Sequence, residues 1–174
     1  MYIKGVGMTK FGVHSKTTHE LCYEVIMEAL DDADMPLRKI DEIIVSRGDS
    51  ANDAERQRLF TGILSSILQD EDIPIIRVIA ACSGGGAAVW NAVNSEAKNV
   101  LVVGVDKLTS SSTRIITDEL MMASERIYEQ TEGLNFPAQN ALIAQQYMMK
   151  YNVSQKHLAM VALKNHENAF LNPK

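Results

Sequence analysis

Two of the 174 residues are cysteines, and Cys82 stands where a thiol can act as a nucleophile. An apolar, β-branched run from Ile75 to Ala81 has the composition of a strand buried on both faces. Cys82 follows it directly, then Ser83-Gly84-Gly85-Gly86, then a small-residue stretch, Ala87 to Ala97, that reads as a helix. A second β-branched run, Val100 to Val105, closes the unit as a strand. The expected βαβ crossover puts Cys82 on the turn between strand and helix, at the carboxyl edge of a parallel sheet, where open α/β folds place their ligands. The following helix directs its free N–H groups and positive dipole end at the thiol, and both favour the thiolate, the nucleophilic form. The three glycines remove side chains where a substrate or a second backbone has to approach closely. The alternative is a buried structural cysteine beside a glycine packing contact.

The elements that position this turn follow in order. Residues 2–7 are expected to form an opening strand, with Gly5 and Gly7 marking a bend or close backbone contact. Thr17 or Thr18 can cap a helix to about Asp34, whose apolar stripe is Leu21, Cys22, Val25, Ile26, Ala29 and Leu30. Cys22 lies in that stripe and is assigned to packing, with no chemistry. His14 and His19 fall in or beside a polar segment and are expected to be solvated. Pro36 ends the helix, Ile40–Ser46 reads as a strand, Arg47–Ser50 as a loop, and Asn52–Gln69 as a helix. Arg56 and Arg58 near its start suit a solvated face or a neighbouring subunit.

Residues 107–136 lack sustained periodicity and are expected to be irregular with short helices, Met121 and Met122 offering adaptable apolar surface. Helices are expected over Pro137–Tyr151, packed through Ala141, Leu142, Ala144, Tyr147 and Met148, and over Gln155–Ala169. His166 sits at the margin of the last helix's apolar side, which suits either a structural residue or a ligand contact. The sum is an α/β protein with a mostly parallel βαβαβαβ sheet carrying helices on both faces, residues 1–106, followed by a mainly helical domain, residues 107–174.

Composition narrows the partners. A formal charge of −5 and a pI near 5.4 disfavour nucleic acid and anionic membranes. No apolar run is long enough to cross a bilayer, and MYIKGVGMTK has neither a signal core nor an Arg-rich transit pattern, so a cytoplasmic location is expected. Cys22 and Cys82 occupy unlike contexts, which disfavours a disulfide framework, and no metal-ligand or Walker-type spacing occurs.

Four stretches carry a family likeness: VGMTKFG (6–12), ACSGGGAA (81–88), VGVDKLT (103–109), and 135–174 with its Phe-Pro, Tyr-Met and Lys-Asn-His elements. Together they resemble the N-terminal half of a thiolase, in particular the archaeal and sterol-carrier-protein-type thiolases. In that family the nucleophile turn usually reads Cys-Ser-Ser-Gly or Cys-Ala-Ser-Gly, where this chain has Cys-Ser-Gly-Gly. The resemblance implies a thiolase-like fold whose residues 107–174 form the loop, or lid, domain. It also implies that Cys82 takes an acyl group from acyl-CoA, and that its backbone N–H serves as one donor of an oxyanion hole. Gly84 and Gly85 would border the substrate, and His166 would lie in a region that can approach coenzyme A. The implied reaction is a ping-pong Claisen condensation of two acetyl-CoA molecules through an acyl-cysteine, with the coenzyme A thioester as substrate and no cofactor or metal. In archaea the product feeds mevalonate synthesis.

The resemblance stops at one half. The remaining catalytic groups of the family, and the fifth strand of its first half, have no counterpart here. The implied partners are therefore a C-terminal thiolase half, in the same chain or as a separate subunit, and further copies in a homodimer or tetramer. A 3-hydroxy-3-methylglutaryl-CoA synthase and a DUF35-type protein are further partners the family implies. A ketone-forming carbon–carbon step needs a second acid/base near the thiolate, and His14, His19 and His157 stand in no motif for it. Two alternatives remain at this stage: a related ketoacyl or 3-hydroxy-3-methylglutaryl-CoA synthase, and a non-catalytic thiolase-like subunit that binds acyl-CoA or scaffolds a partner.

Overall fold

The strand Glu42–Ser46 (β1) is the centre of a parallel sheet, with Ile75–Val78 (β2) on one side and Val100–Gly104 (β3) on the other. The computed structural model describes residues 2–48, 57–69 and 72–174. The register sets Ile43 against Ile75 and Leu101, and Ile44 against Ile76 and Val102. Successive side chains of a strand point to opposite faces, so β1 divides the packing. Ile43 and Val45 join a large cluster on one face with Leu101 and Val103, and Ile44 serves the other.

The helices Thr18–Asp32 (α1) and Phe60–Leu68 (α2) cover the first face through Cys22, Ile26, Leu30, Phe60, Leu64 and Leu68. The helix Gly84–Asn94 (α3) covers the second with Ala88 and Ala92 against Ile44. This is the expected α/β architecture, parallel with helices on both faces. A capping box starts α1: the Glu20 N–H donates to Thr17 Oγ1 at 3.2 Å, and the Thr17 N–H donates to the Glu20 carboxylate at 2.6 Å. The Thr17 backbone bond, then that of its side chain, holds the Glu20 carboxyl below its ordinary pKa.

The opening segment departs from the expected strand. Residues 2–10 carry no regular secondary structure. The Val6 and Met8 N–H groups donate to carboxylates of α1, Asp32 at 2.9 Å and Glu28 at 3.2 Å. A Cβ on Gly5 would meet Ala29 O and Ala33 N, and one on Gly7 would meet Val25 O and Ala29 N, so the glycines press the segment onto α1. The apolar, β-rich composition is right for a strand, but a strand needs a neighbour, and among the described residues none pairs with it.

Three further expectations change. β2 is an edge strand and only partly buried, because β1 lies between it and β3. Within the described residues α2 begins at Phe60; Asn52 to Arg56 lie outside them, and Arg58 is exposed. His19 is buried, its ring stacked on Phe60 with centroids 4.6 Å apart; capping places it on the inner side of α1 rather than in the polar loop before it.

The chain divides into two compact units, 1–112 and 113–174. The second holds Thr113–Met121 (α4), a π-helical turn at Arg126–Gln130, Phe136–Tyr151 (α5) and Gln155–Ala169 (α6). Asn135 caps α5 by accepting the Ala138 N–H at 3.0 Å, and Asn152 ends it in the left-handed region. The expected packing positions of α5 are not buried, nor is any residue of α6. Ala144 and Met148 of α5 are half-buried while Ala141, Leu142 and Tyr147 are exposed, so periodicity located the helices without finding them a core.

Candidate active site

Past Val78 the chain turns sharply. Ala80 has φ −147° and ψ 37°, and Ala81 has φ +44°, a left-handed conformation that costs a residue with a Cβ roughly 1–2 kcal/mol. A tight turn over Ala81–Ser83 follows and leads straight into α3. Three bonds hold it: the Ser83 N–H and Oγ donate to Ala80 O at 2.9 and 2.7 Å, and the Gly84 N–H donates to Ala81 O. None of these uses the Cys82 N–H. No side chain caps α3, so its N-terminal end is open where Cys82 sits.

Cys82 is exposed, unlike the buried thiol of the structural alternative. The helix begins earlier than the expected Ala87, so the three glycines form its first turn instead of preceding it. Their surroundings differ. Gly84 is buried, and a Cβ there would collide with Ser46 Oγ at the end of β1; one on Gly85 or Gly86 would meet nothing within 4 Å. Gly84 thus serves close helix–strand packing, and Gly85 lies open beside the thiol's turn. His166, also expected near substrate, is exposed in the last turn of α6, in the unit that does not contain Cys82.

Several residues that brace the carboxyl edge were not singled out as such from sequence. Asp106, just after β3, accepts the Gly48 N–H at 3.1 Å. Arg77 donates to Gly48 O at 3.1 Å and to Arg58 O at 3.3 Å, and Arg47 donates to Gln57 O at 2.6 Å. Lys107 donates to Lys16 O at 2.6 Å, fastening the loop before α1. A charged residue at a strand's carboxyl end is a weak signal, because the same pattern reads equally as a solvated loop.

The second cysteine is set apart chemically. Cys22 is fully buried in the cluster under α1, and desolvation pushes its thiol up to about 12. At pH 8 it is protonated and shielded, so iodoacetamide is expected to modify Cys82 alone in the folded chain and both cysteines after unfolding. Peptide mapping reads the result; equal labelling of Cys22 in the folded state would contradict its burial. A shallow depression of about 460 Å³ lined by Lys16, Glu20, Tyr23, Glu24 and Ile67 has no residue of the Cys82 turn in its wall. Among the described residues no three His, Cys, Asp or Glu side chains are grouped to hold a metal, and no helix is long and apolar enough to cross a membrane.

A parallel α/β sheet with an exposed thiol on a strained strand-to-helix turn defines the class: an open α/β fold that presents a thiol at the carboxyl edge of its sheet. Comparison with known proteins gives the family. Residues 1–174 match the family model described as thiolase, N-terminal domain, and the chain belongs to the thiolase family. It is 30% identical to an acetyl-CoA acetyltransferase of Methanothermobacter thermautotrophicus over 98% of this chain and 45% of that protein. It is 33% identical to an acetyl-CoA acetyltransferase of Methanocaldococcus jannaschii, over 98% of this chain and 44% of that one. Sterol carrier protein 2 of Bos taurus is 26% identical over 99% of this chain and 34% of its own length. The chain therefore spans less than half the length of these relatives.

Proposed function

We propose that this chain is the acyl-accepting half of an acetyl-CoA acetyltransferase, working when a C-terminal thiolase half completes it. The observation that carries the reading is the exposed Cys82 on its strained turn, at the uncapped start of α3. The Cys82 thiolate attacks the thioester carbonyl of acetyl-CoA, and the negative charge moves to the carbonyl oxygen, where the Cys82 N–H is one donor. Collapse breaks the bond to coenzyme A, which leaves as its thiolate, and an acetyl-cysteine remains. In the second step the deprotonated methyl carbon of another acetyl-CoA attacks this thioester. A carbon–carbon bond forms, the bond to Cys82 breaks, and acetoacetyl-CoA departs.

That second step needs a base to take the methyl proton, and His14, His19 and His157 have other work. His14 bonds Lys10 O at 2.6 Å, His19 stacks on Phe60, and His157 closes the cap of α6 with Ser154 at 3.2 Å. The base is assigned to the completing half. An uncovered apolar face supports such a partner: Val89, Trp90 and Val93 of α3 are 48, 68 and 53% exposed. The opening segment, with Tyr2, Ile3 and Val6 exposed and no strand paired to it among the described residues, supports it independently.

Material purified from its natural source and incubated with acetyl-CoA is expected to gain one acetyl group, found by intact mass spectrometry and mapped to the peptide containing Cys82. A complete native assembly that takes up no acetyl group would overturn the proposal in favour of a binding or scaffold subunit.

A further inference from the structure

Ser46 and Gly84 meet at the junction between the central strand and the helix that carries the thiol's turn. Ser46 is the last residue of β1 and is buried, 7% exposed. Its Oγ occupies the space a Cβ on Gly84 would need, whereas its own Cβ would stand 3.6 Å from that atom, an ordinary contact distance. The backbone around Ser46 is pinned, since its carbonyl accepts the Val105 N–H at 3.0 Å and its strand is hydrogen-bonded on both sides. The Ser46 side chain therefore projects from the most constrained strand of the sheet, and Gly84, two residues beyond Cys82, is the point of α3 that comes down on it.

We infer that Ser46 is a positioning residue for Cys82: its hydroxyl fills the place left by the missing side chain at position 84 and sets how closely the first turn of α3 approaches the sheet. This rests on the reading of Cys82 as the nucleophile. The contact acts through Gly84 on the turn of Ala81–Ser83, whose last bond runs from the Gly84 N–H to Ala81 O. A side chain at 84 has to push the start of α3 off β1 or break that bond, and either displaces the thiol from the helix end. Removing the Ser46 hydroxyl reopens the space, because the remaining Cβ is already at contact distance.

The test is a cycle of Gly84→Ala, Ser46→Ala and the double variant in the full chain, reading the rate at which iodoacetamide alkylates Cys82 beside the thermal unfolding midpoint. Gly84→Ala is expected to slow alkylation up to about fivefold, the most a helix end is ordinarily worth to an exposed charge at its first turn. The double variant is expected to return to within about twofold of the parent rate, the two substitutions being directly coupled. If Gly84→Ala does not fold, a folded double variant reacting at the parent rate still supports the pairing. A double variant as slow as Gly84→Ala, or a Gly84→Ala chain alkylated at the parent rate, would overturn it. Acetyl transfer in the native assembly is measured separately. Rescue of alkylation with no acetylation from acetyl-CoA would sink the acyltransferase reading and keep the seat; parent-rate alkylation throughout, with acetylation intact, would do the reverse.

Discussion

On the proposed function, replacing Cys82 with alanine is expected to reduce acetoacetyl-CoA formation by the native assembly on the order of 10⁴-fold or more, the scale seen when a covalent nucleophile is deleted. The size follows from what is lost. Without the thiol no acyl-enzyme can form, and the two acetyl-CoA molecules would have to react directly, with no leaving-group exchange to divide the work. The chain's other thiol cannot stand in, because Cys22 is fully buried and pushed up to about 12. Cys22→Ala should accordingly leave acyl transfer within a few-fold of the parent while costing about 1–2 kcal/mol of stability, as loss of a small buried apolar group does. Cys82→Ser separates chemistry from fold: it keeps a nucleophile-sized side chain on the same turn, so binding of coenzyme A should persist while turnover disappears. Radiolabelled acetyl-CoA reads turnover directly. Turnover by Cys82→Ala within tenfold of the parent would remove the thiol from the reaction and leave a scaffold.

The place of the thiol was legible from sequence because its signal is local. A β-branched run, a cysteine, three glycines and a small-residue stretch specify a strand-to-helix turn with little help from distant residues, and the structure has that turn, with the glycines inside the helix rather than before it. The two faces of the sheet were also legible, since β1 alternates its neighbours and α1 and α2 repeat theirs at helical spacing. What failed depended on partners far along the chain. Residues 2–7 have strand composition, yet strand formation is a property of a pair, and the Val6 N–H went to Asp32 instead, as that of Met8 just beyond went to Glu28. His19 was misread because one turn of helix decides whether a side chain beside a cap faces solvent or Phe60. The Ser46–Gly84 contact joins residues in different elements, and neither residue type announces it. The apolar positions of α5 are at most half-buried, because periodicity shows which side of a helix must be buried but not what buries it.

Phe60→Ala is the substitution expected to cost the fold most, on the order of 4 kcal/mol. Phe60 is fully buried at the start of α2, in the cluster that joins α1 and α2 to the sheet. Truncation removes its transfer free energy and leaves a cavity that Leu64, Ile43 and Val45, fixed in helix and strand, cannot easily close. The ring also organises polar neighbours. His19 stacks on it at 4.6 Å, and the Arg47 guanidinium lies 5.0 Å from its centroid. Such ring and cation contacts contribute about 0.5–1.5 kcal/mol each beyond burial. Phe60→Leu keeps much of the volume and loses only those contacts, so it should cost about 1–2 kcal/mol, leaving the ring's share as a measurable part of the whole. Urea unfolding followed by circular dichroism gives both values. A domain whose total stability is about 5–15 kcal/mol survives the second change but is brought near its threshold by the first. Because Arg47 follows Ser46 directly, loosening Phe60 also loosens the end of β1 against which Gly84 rests. Cys82 alkylation should therefore slow in the leucine variant even while the chain stays folded. A leucine variant that loses stability yet keeps the parent alkylation rate would confine Phe60 to the core and detach it from the active turn.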